Sequence, residues 1–253
     1  MMHPEFSRFH QKLSRNVYGS LKGRIRLELL EKDIRDCCVG FTTPGLSIID
    51  VGCGEGAFAA RCLDAGHTVS LIDVSPAMIE TALDRVAKTK NGSDCVRVDC
   101  ADFLTWEAPS GLKYDIVLMH GAAEWMTSAP LAIERAAALV KPGGYLSLLM
   151  FNRDMHTFKM GVNGHLLGHF STRKQKMFPP NALGVHDTAD ILSLQPGKII
   201  LQSGIRIFYG FFRELARSGV SAEQWMAQER AYYRQLPFSR MGQHSHFIWQ
   251  KDI

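Results

Sequence analysis

Residues 46–66, LSIIDVGCGEGAFAARCLDAG, constrain the fold more than any other stretch of this chain. A short apolar run ends in a glycine-rich turn and passes straight into a helical pattern. The same sequence of signals recurs: TVSLIDVS (68–75) reads as a strand and PAMIETALDRVAKTK (76–90) as a helix, with Ser75 suited to its N-cap and Pro76 to its first turn. CVRVDC (95–100) and YDIVLMH (114–120) read as strands, APLAIERAAALV (129–140) as a helix, KPGG (141–144) as a turn and YLSLLMF (145–151) as a strand. Strands alternating with helices predict a parallel sheet covered by helices on both faces. In such a sheet a ligand sits at the carboxyl ends of the strands, beside the first glycine-rich turn.

With 253 residues, 46% of them hydrophobic, the chain is long enough to bury a sizeable core, as one large domain or one domain with an appendage. No apolar run approaches 18 residues and the N-terminus lacks the apolar stretch of a secretory signal, which implies a cytoplasmic protein. The six cysteines (37, 38, 53, 62, 95 and 100) form no CxxC pair and no cluster with histidine, so they read as small core residues, and no metal is expected. The charge is unevenly spread. Lys and Arg outnumber Asp and Glu by 8 to 5 in residues 1–44 and by 13 to 7 in residues 151–253, whereas residues 45–150 hold 8 against 13. If the two basic flanks meet in space they form a cationic surface suited to a polyanion; the alternative is scattered solvated charge.

The turn DVGCGEG places glycines at 52, 54 and 56, where the backbone can approach a ligand closely. Gly52, Gly54 and Ala57 also satisfy the dinucleotide pattern G-x-G-x-x-G/A, and Asp73 at the end of the second strand is suited to ribose hydroxyls in either case. Other residues separate the two readings. Asp50 just before the glycines, DCADF (99–103) after the third strand and LVKPGGYLSL (139–148) before the fifth together resemble the class I S-adenosylmethionine-dependent methyltransferases, over about residues 45–150. The resemblance implies an α/β, Rossmann-like fold with a mostly parallel seven-stranded sheet and helices on both faces. It also implies S-adenosyl-L-methionine as cofactor, with Asp50, Gly52, Cys53 and Gly54 under its methionine part, Asp73 on the ribose, and Asp102 and Phe103 beside the adenine.

Three further segments narrow the likeness: SRNVYGSLKGRIR (14–26), HGAAEW (120–125) and SGIRIF (203–208) resemble the bacterial tRNA 5-carboxymethoxyuridine methyltransferases. That resemblance implies a partner in the tRNA anticodon stem-loop, and methyl transfer to the carboxylate of a modified wobble uridine to give its methyl ester. It assigns Arg26 to the methionine carboxylate of the cofactor, a bidentate contact suited to arginine. His120 becomes a cofactor contact, and Arg15 and Tyr18 line the entry to the methyl site. Trp125 is left to stack on adenine, target base or core. In the loop STRKQKMFPPNAL (171–183), Arg173, Lys174 and Lys176 are candidates for phosphate contact.

Arg206 is a candidate to grip the substrate carboxylate; the alternative is an outward-facing position on a sixth strand, with Ile205 and Ile207 on the other face. The implied organisation is a basic helical arm (1–44), a cofactor-binding core (45–150) and a substrate-recognition insertion with completion of the sheet (151–253). The chain departs from the family in its Cys53 and in YGF (209–211), where the family has His-Asp-Tyr. A carboxylate nucleophile is ionised at neutral pH, so no general base is expected; Tyr18 and Arg206 would only orient the substrate. The competing functions are a small-molecule methyltransferase of the quinone or metabolite kind and a cofactor-binding protein without methyl transfer.

Overall fold

The computed structural model describes residues 20–162, 164, 179–209 and 219–253. Arg15, Tyr18, Arg173, Lys174 and Lys176 lie outside the described residues. The elements run α1 (Leu21–Cys37), β1 (Ser47–Val51), α2 (Ala57–Asp64), β2 (Thr68–Asp73), α3 (Pro76–Val86), β3 (Cys95–Cys100), β4 (Tyr114–His120), α4 (Ala129–Leu139), β5 (Val140–Phe151), α5 (Arg153–Val162), α6 (Val185–Ser193), β6 (Gly197–Ile205), α7 (Ala222–Tyr232) and β7 (His244–Lys251). The strands form a seven-stranded sheet in the order β3-β2-β1-β4-β5-β7-β6. Strands β1 to β5 pair in parallel, and β7 runs antiparallel between β5 and β6.

Alternation along each strand sends neighbouring residues to opposite faces, and two separate cores result. Ile48, Ile116, Leu118, Leu149 and Ile248 join residues of α1, α2, α3 and α7. Ile49, Val117, Met119, Met150 and Trp249 join residues of α4 and α6 on the other side. Helix α1 belongs to the first layer because Ile25, Leu29 and Ile34, at helical spacing, are all fully buried. Leu21, at the start of the helix, packs against the same layer but is only partly covered.

Several expectations need correction. KPGG (141–144) is not a turn ahead of a strand but an interruption within β5: Tyr114 pairs with Val140, Ile116 pairs with Tyr145, and the intervening residues bulge out of the ladder. Arg206 is not on the sixth strand. β6 stops at Ile205, and Arg206 follows with φ of 63°, a left-handed conformation unusual for a side chain with Cβ. Nor does it face outward, since it is buried together with Ile205 and Ile207. Of the cysteines, 38, 53 and 62 are core residues but Cys100 is exposed.

The two basic flanks do meet, α1 against α7, but not as a bare cationic face. Arg24 pairs with Glu28 and Glu223, Arg230 with Glu28, Lys32 with Asp36, and Arg234 with Asp33 and Asp36. Opposite charges interleave across the seam, so among the described residues this face is largely neutralised.

Trp249 is completely buried in the second core, between β5 and β6. Trp249→Ala is expected to lower unfolding free energy by about 3–5 kcal/mol, read from urea denaturation at constant slope. A loss below about 1 kcal/mol would contradict this packing.

Candidate cofactor site

The strand order reverses between β1 and β4, with β2 lying outside β1 and β5 outside β4. The crevice at that switch point is bounded by Arg26 from α1, Asp50, Gly52 and Cys53 after β1, Phe58 from α2 and His120 at the end of β4. Five residues singled out in the sequence for the cofactor therefore come together in one pocket.

The turn is shaped to admit a ligand. Gly52 and Gly54 have φ of 67° and 54°. A Cβ on Gly52 would lie 2.4 Å from the Cβ of Ala122, whereas one on Gly54 would project into open space. The first glycine is required by the protein's own packing, and the second leaves a backbone cradle that only a ligand would fill. Asp73 accepts hydrogen bonds from the backbone N–H of Gly54 (2.9 Å) and of Ser75 (2.9 Å). Its carboxylate is thereby fixed at the lip of the glycine turn. Ser75 sits at the expected N-cap position without making a side-chain cap, and its backbone N–H donates to Asp73.

Asp102 follows β3 and accepts from Leu104 N–H at 3.0 Å. The neighbouring Phe103 is buried and stacks on Trp106 with ring centroids 6.2 Å apart. Its ring is committed to the core, so its backbone is what this position offers a ligand. Trp125 stands in the short turn Ala123–Trp125 after β4 and is partly buried.

Arg26 crosses the crevice mouth with its Nη2 3.1 Å from Nε2 of His244. A guanidinium has no lone pair to accept with, so His244 accepts at Nε2 and is neutral. Burial, reinforced by Arg26 and Arg206, holds the His244 pKa well below its usual value. Burial and the same Arg26 charge also lower Arg206, to about 10. Two guanidiniums held within electrostatic reach of each other and of a neutral imidazole make a local field that favours anions.

The conformation of Arg206 has its own support. The carboxylate of Glu229 in α7, fully buried, accepts from the backbone N–H groups of Ile207 (2.9 Å), Phe208 (3.0 Å) and Tyr209 (2.7 Å). This cradle offsets a backbone strain on the order of 1–2 kcal/mol at Arg206. Sequence analysis missed both His244 and Glu229. Neither carries a local motif, and only the antiparallel return of β7 and the docking of α7 bring them to the site.

Asp50 is buried and its pKa is pushed up to about 7, by burial first and by the neighbouring Asp73 carboxylate second. An unfolded aspartate titrates near 4. Between those values the folded protein holds the extra proton, so its stability falls as pH rises through the window and stays lower above it. In ligand-free protein, Asp50→Asn is therefore expected to gain stability relative to wild type between pH 4.5 and 8, by on the order of 3 kcal/mol. Urea unfolding at the two pH values measures the gap; a constant gap would contradict the raised pKa.

A glycine cradle, a fixed ribose-type carboxylate and a cation for a carboxylate fit S-adenosylmethionine. Among the described residues no cluster of His, Cys, Asp and Glu could hold a metal ion, and no helix is long and apolar enough to cross a membrane. A family model described as a methyltransferase domain matches residues 49–146. The tRNA 5-carboxymethoxyuridine methyltransferase of Escherichia coli (strain K12) is 28% identical over 263 residues, spanning 99% of this chain and 97% of its own. The ubiquinone biosynthesis O-methyltransferase of Methylobacterium nodulans is 34% identical over 121 residues, 47% of this chain and 46% of its own. Among solved structures, magnesium protoporphyrin IX methyltransferase from Synechocystis PCC 6803 with bound SAH aligns with a TM-score of 0.63 at 15% identity, over 98% of this chain and 97% of that one. The plantazolicin methyltransferase BpumL in complex with an analog and SAH aligns with a TM-score of 0.61 at 16% identity, over 96% and 91%. Fold, glycine turn and family model agree, and the chain is a class I S-adenosylmethionine-dependent methyltransferase.

Proposed function

We propose that this methyltransferase acts on tRNA, esterifying the carboxylate of 5-carboxymethoxyuridine at the anticodon wobble position. The observation that carries the proposal is the extent of the likeness. The tRNA enzyme matches along essentially the whole chain, including α1 and the segments after β5, whereas the quinone enzyme matches over less than half. Substrate recognition in this fold resides outside the shared cofactor domain, so likeness there bears on the substrate.

The geometry is consistent with an anionic acceptor. When bound, S-adenosylmethionine supplies an electrophilic methyl group on a sulfonium. Arg26 would hold the cofactor's carboxylate and Arg206, in electrostatic reach of it, would hold the carboxylate to be methylated. A carboxylate is already ionised at neutral pH, so the residues need only align it and exclude water. Alignment of two bound reactants contributes on the order of 7–11 kcal/mol. Charge is neutralised as the ester forms, and a desolvated pocket favours that change over water. Arg206 must leave one carboxylate oxygen free to face the methyl group, and its rigid left-handed backbone on the Glu229 cradle would fix that approach. Arg15, Tyr18, Arg173, Lys174 and Lys176 complete the proposal as tRNA-facing residues, with Trp125 at the target base.

Purified protein incubated with S-adenosylmethionine and tRNA bearing 5-carboxymethoxyuridine is expected to add one methyl to that nucleoside by mass spectrometry, and mild alkali should remove it. No methyl gain on any tRNA nucleoside, from protein that binds the cofactor, overturns the proposal in favour of a small acceptor. Arg206→Ala is expected to lower kcat/KM for tRNA about 10–100-fold while S-adenosylhomocysteine affinity, measured by calorimetry, changes less than about threefold. Equal losses in both would place Arg206 at the cofactor.

A further inference from the structure

Behind the pocket wall, a line of buried polar side chains crosses the sheet. Asp33 of α1 lies with Oδ2 2.7 Å from Nδ1 of His246 in β7. Nε2 of His246 is 2.8 Å from Oγ of Ser147 in β5, and that Oγ is 2.8 Å from Nε2 of His120 in β4. Asp33, His246 and Ser147 are completely inaccessible. The row is built by register: His120 pairs with Leu149, which pairs with His246, and Ser147 lies two residues from Leu149 on the same face. Such a chain sits in the middle of an apolar core only if every link is satisfied.

The donors and acceptors can be assigned one by one. Asp33 accepts from Arg234 Nε (2.8 Å) and from Ser203 Oγ (2.6 Å), and its Oδ1 lies 2.7 Å from Arg234 Nη2. These bonds and His246 keep it ionised against the opposing effect of burial, with a lowered pKa. A carboxylate has no proton to give, so His246 donates from Nδ1. Arg234, shared with Asp36, already faces Asp33, and we take the fully buried His246 ring as neutral, which leaves Nε2 an acceptor. The Ser147 hydroxyl then donates to His246 and accepts from Nε2–H of His120. His120 is itself neutral, because burial first and then the Arg26 charge hold its pKa well below the ordinary value. Its proton is therefore on Nε2, and Nδ1 is a bare lone pair that is buried and has no partner among the described residues. The His120 ring lines the cofactor pocket.

We propose that the Asp33–His246–Ser147 chain locks the tautomer of His120 so that Nδ1 accepts a hydrogen bond from the cofactor's ammonium group, making these three residues determinants of selectivity for a ligand with a free α-amino group. An amino-acid end carries a carboxylate and an ammonium close together. Arg26 suits the first and, being a pure donor, cannot take the second. An imidazole free to exchange tautomers would present N–H to the ammonium part of the time. Asp33, His246 and Ser147 touch no ligand; they are positioning residues.

The inference rests on S-adenosylmethionine as cofactor and is independent of the identity of the acceptor, so failure of the tRNA proposal leaves it intact. Two readouts test it without turnover. Nitrogen-15 NMR of imidazole-labelled, ligand-free protein is expected to show His120 as a single tautomer protonated at Nε2, and Ser147→Ala is expected to give a mixture. Calorimetry with S-adenosylhomocysteine and its deaminated analogue is expected to favour the amine at least tenfold in wild type. In Ser147→Ala the preference should fall to within about threefold, with affinity for the deaminated ligand unchanged, and Ser147→Thr should restore it. A wild-type His120 protonated at Nδ1 overturns the proposal whether or not the variants fold. An undiminished preference in folded Ser147→Ala overturns it too.

Discussion

The carboxylate of Asp33 is the constraint on which the rest of the molecule depends. It is fully buried, yet it gathers Arg234 from the end of α7, Ser203 from β6 and His246 from β7 around one residue of α1. Desolvating a carboxylate is expensive, and only this full set of partners offsets it; removing one partner of such a buried pair typically costs about 3–5 kcal/mol. The consequence is positional. By anchoring α1 to the C-terminal strands, Asp33 fixes the helix rotation and carries Arg26, seven residues and about two turns earlier, to the mouth of the crevice between β1 and β4. Apolar packing of Ile25, Leu29 and Ile34 supplies adhesion, but it would tolerate a slide along the sheet that the carboxylate does not.

Electrostatics at the crevice follow from the same arrangement. Arg26, Arg206 and the neutral His244 gather together, while Asp50 and Asp73 adjoin the glycine turn. A zwitterionic ligand with a sulfonium and a ribose would meet complementary groups along its length. The exposed seam between α1 and α7 is different in kind: its ion pairs are solvated, each contributing about 0–1 kcal/mol, and they shape the surface rather than hold it together.

The alternation of strands and helices from β1 to β5 was legible because apolar runs there are bounded by Gly, Pro and polar turn residues, and the parallel order followed from it. Asp50, the glycine turn, Asp73, Asp102 and His120 were legible because they lie at the ends of those strands, where chain order dictates spatial order. Arg26 was found by resemblance, and its place over the crevice depends on the long-range contact through Asp33. His244, His246, Ser147 and Glu229 escaped notice because their meaning arises from pairings 20 to 218 residues distant, which no local pattern encodes. Arg206 was misplaced for a related reason: alternation carries β6 through Ile207, past its end at Ile205, and the left-handed break there depends on the carboxylate of another helix.

The central claim is that Asp33 places α1 so that Arg26 and the end of β4 hold the amino-acid part of the cofactor. A crystal structure of the complex with S-adenosylhomocysteine tests it most directly. The account predicts the ligand carboxylate on the Arg26 guanidinium and its ammonium on His120 Nδ1, each within about 3 Å, with both ribose hydroxyls on Asp73. A ligand whose amino-acid end lies away from α1, with Arg26 still turned to His244, would contradict it.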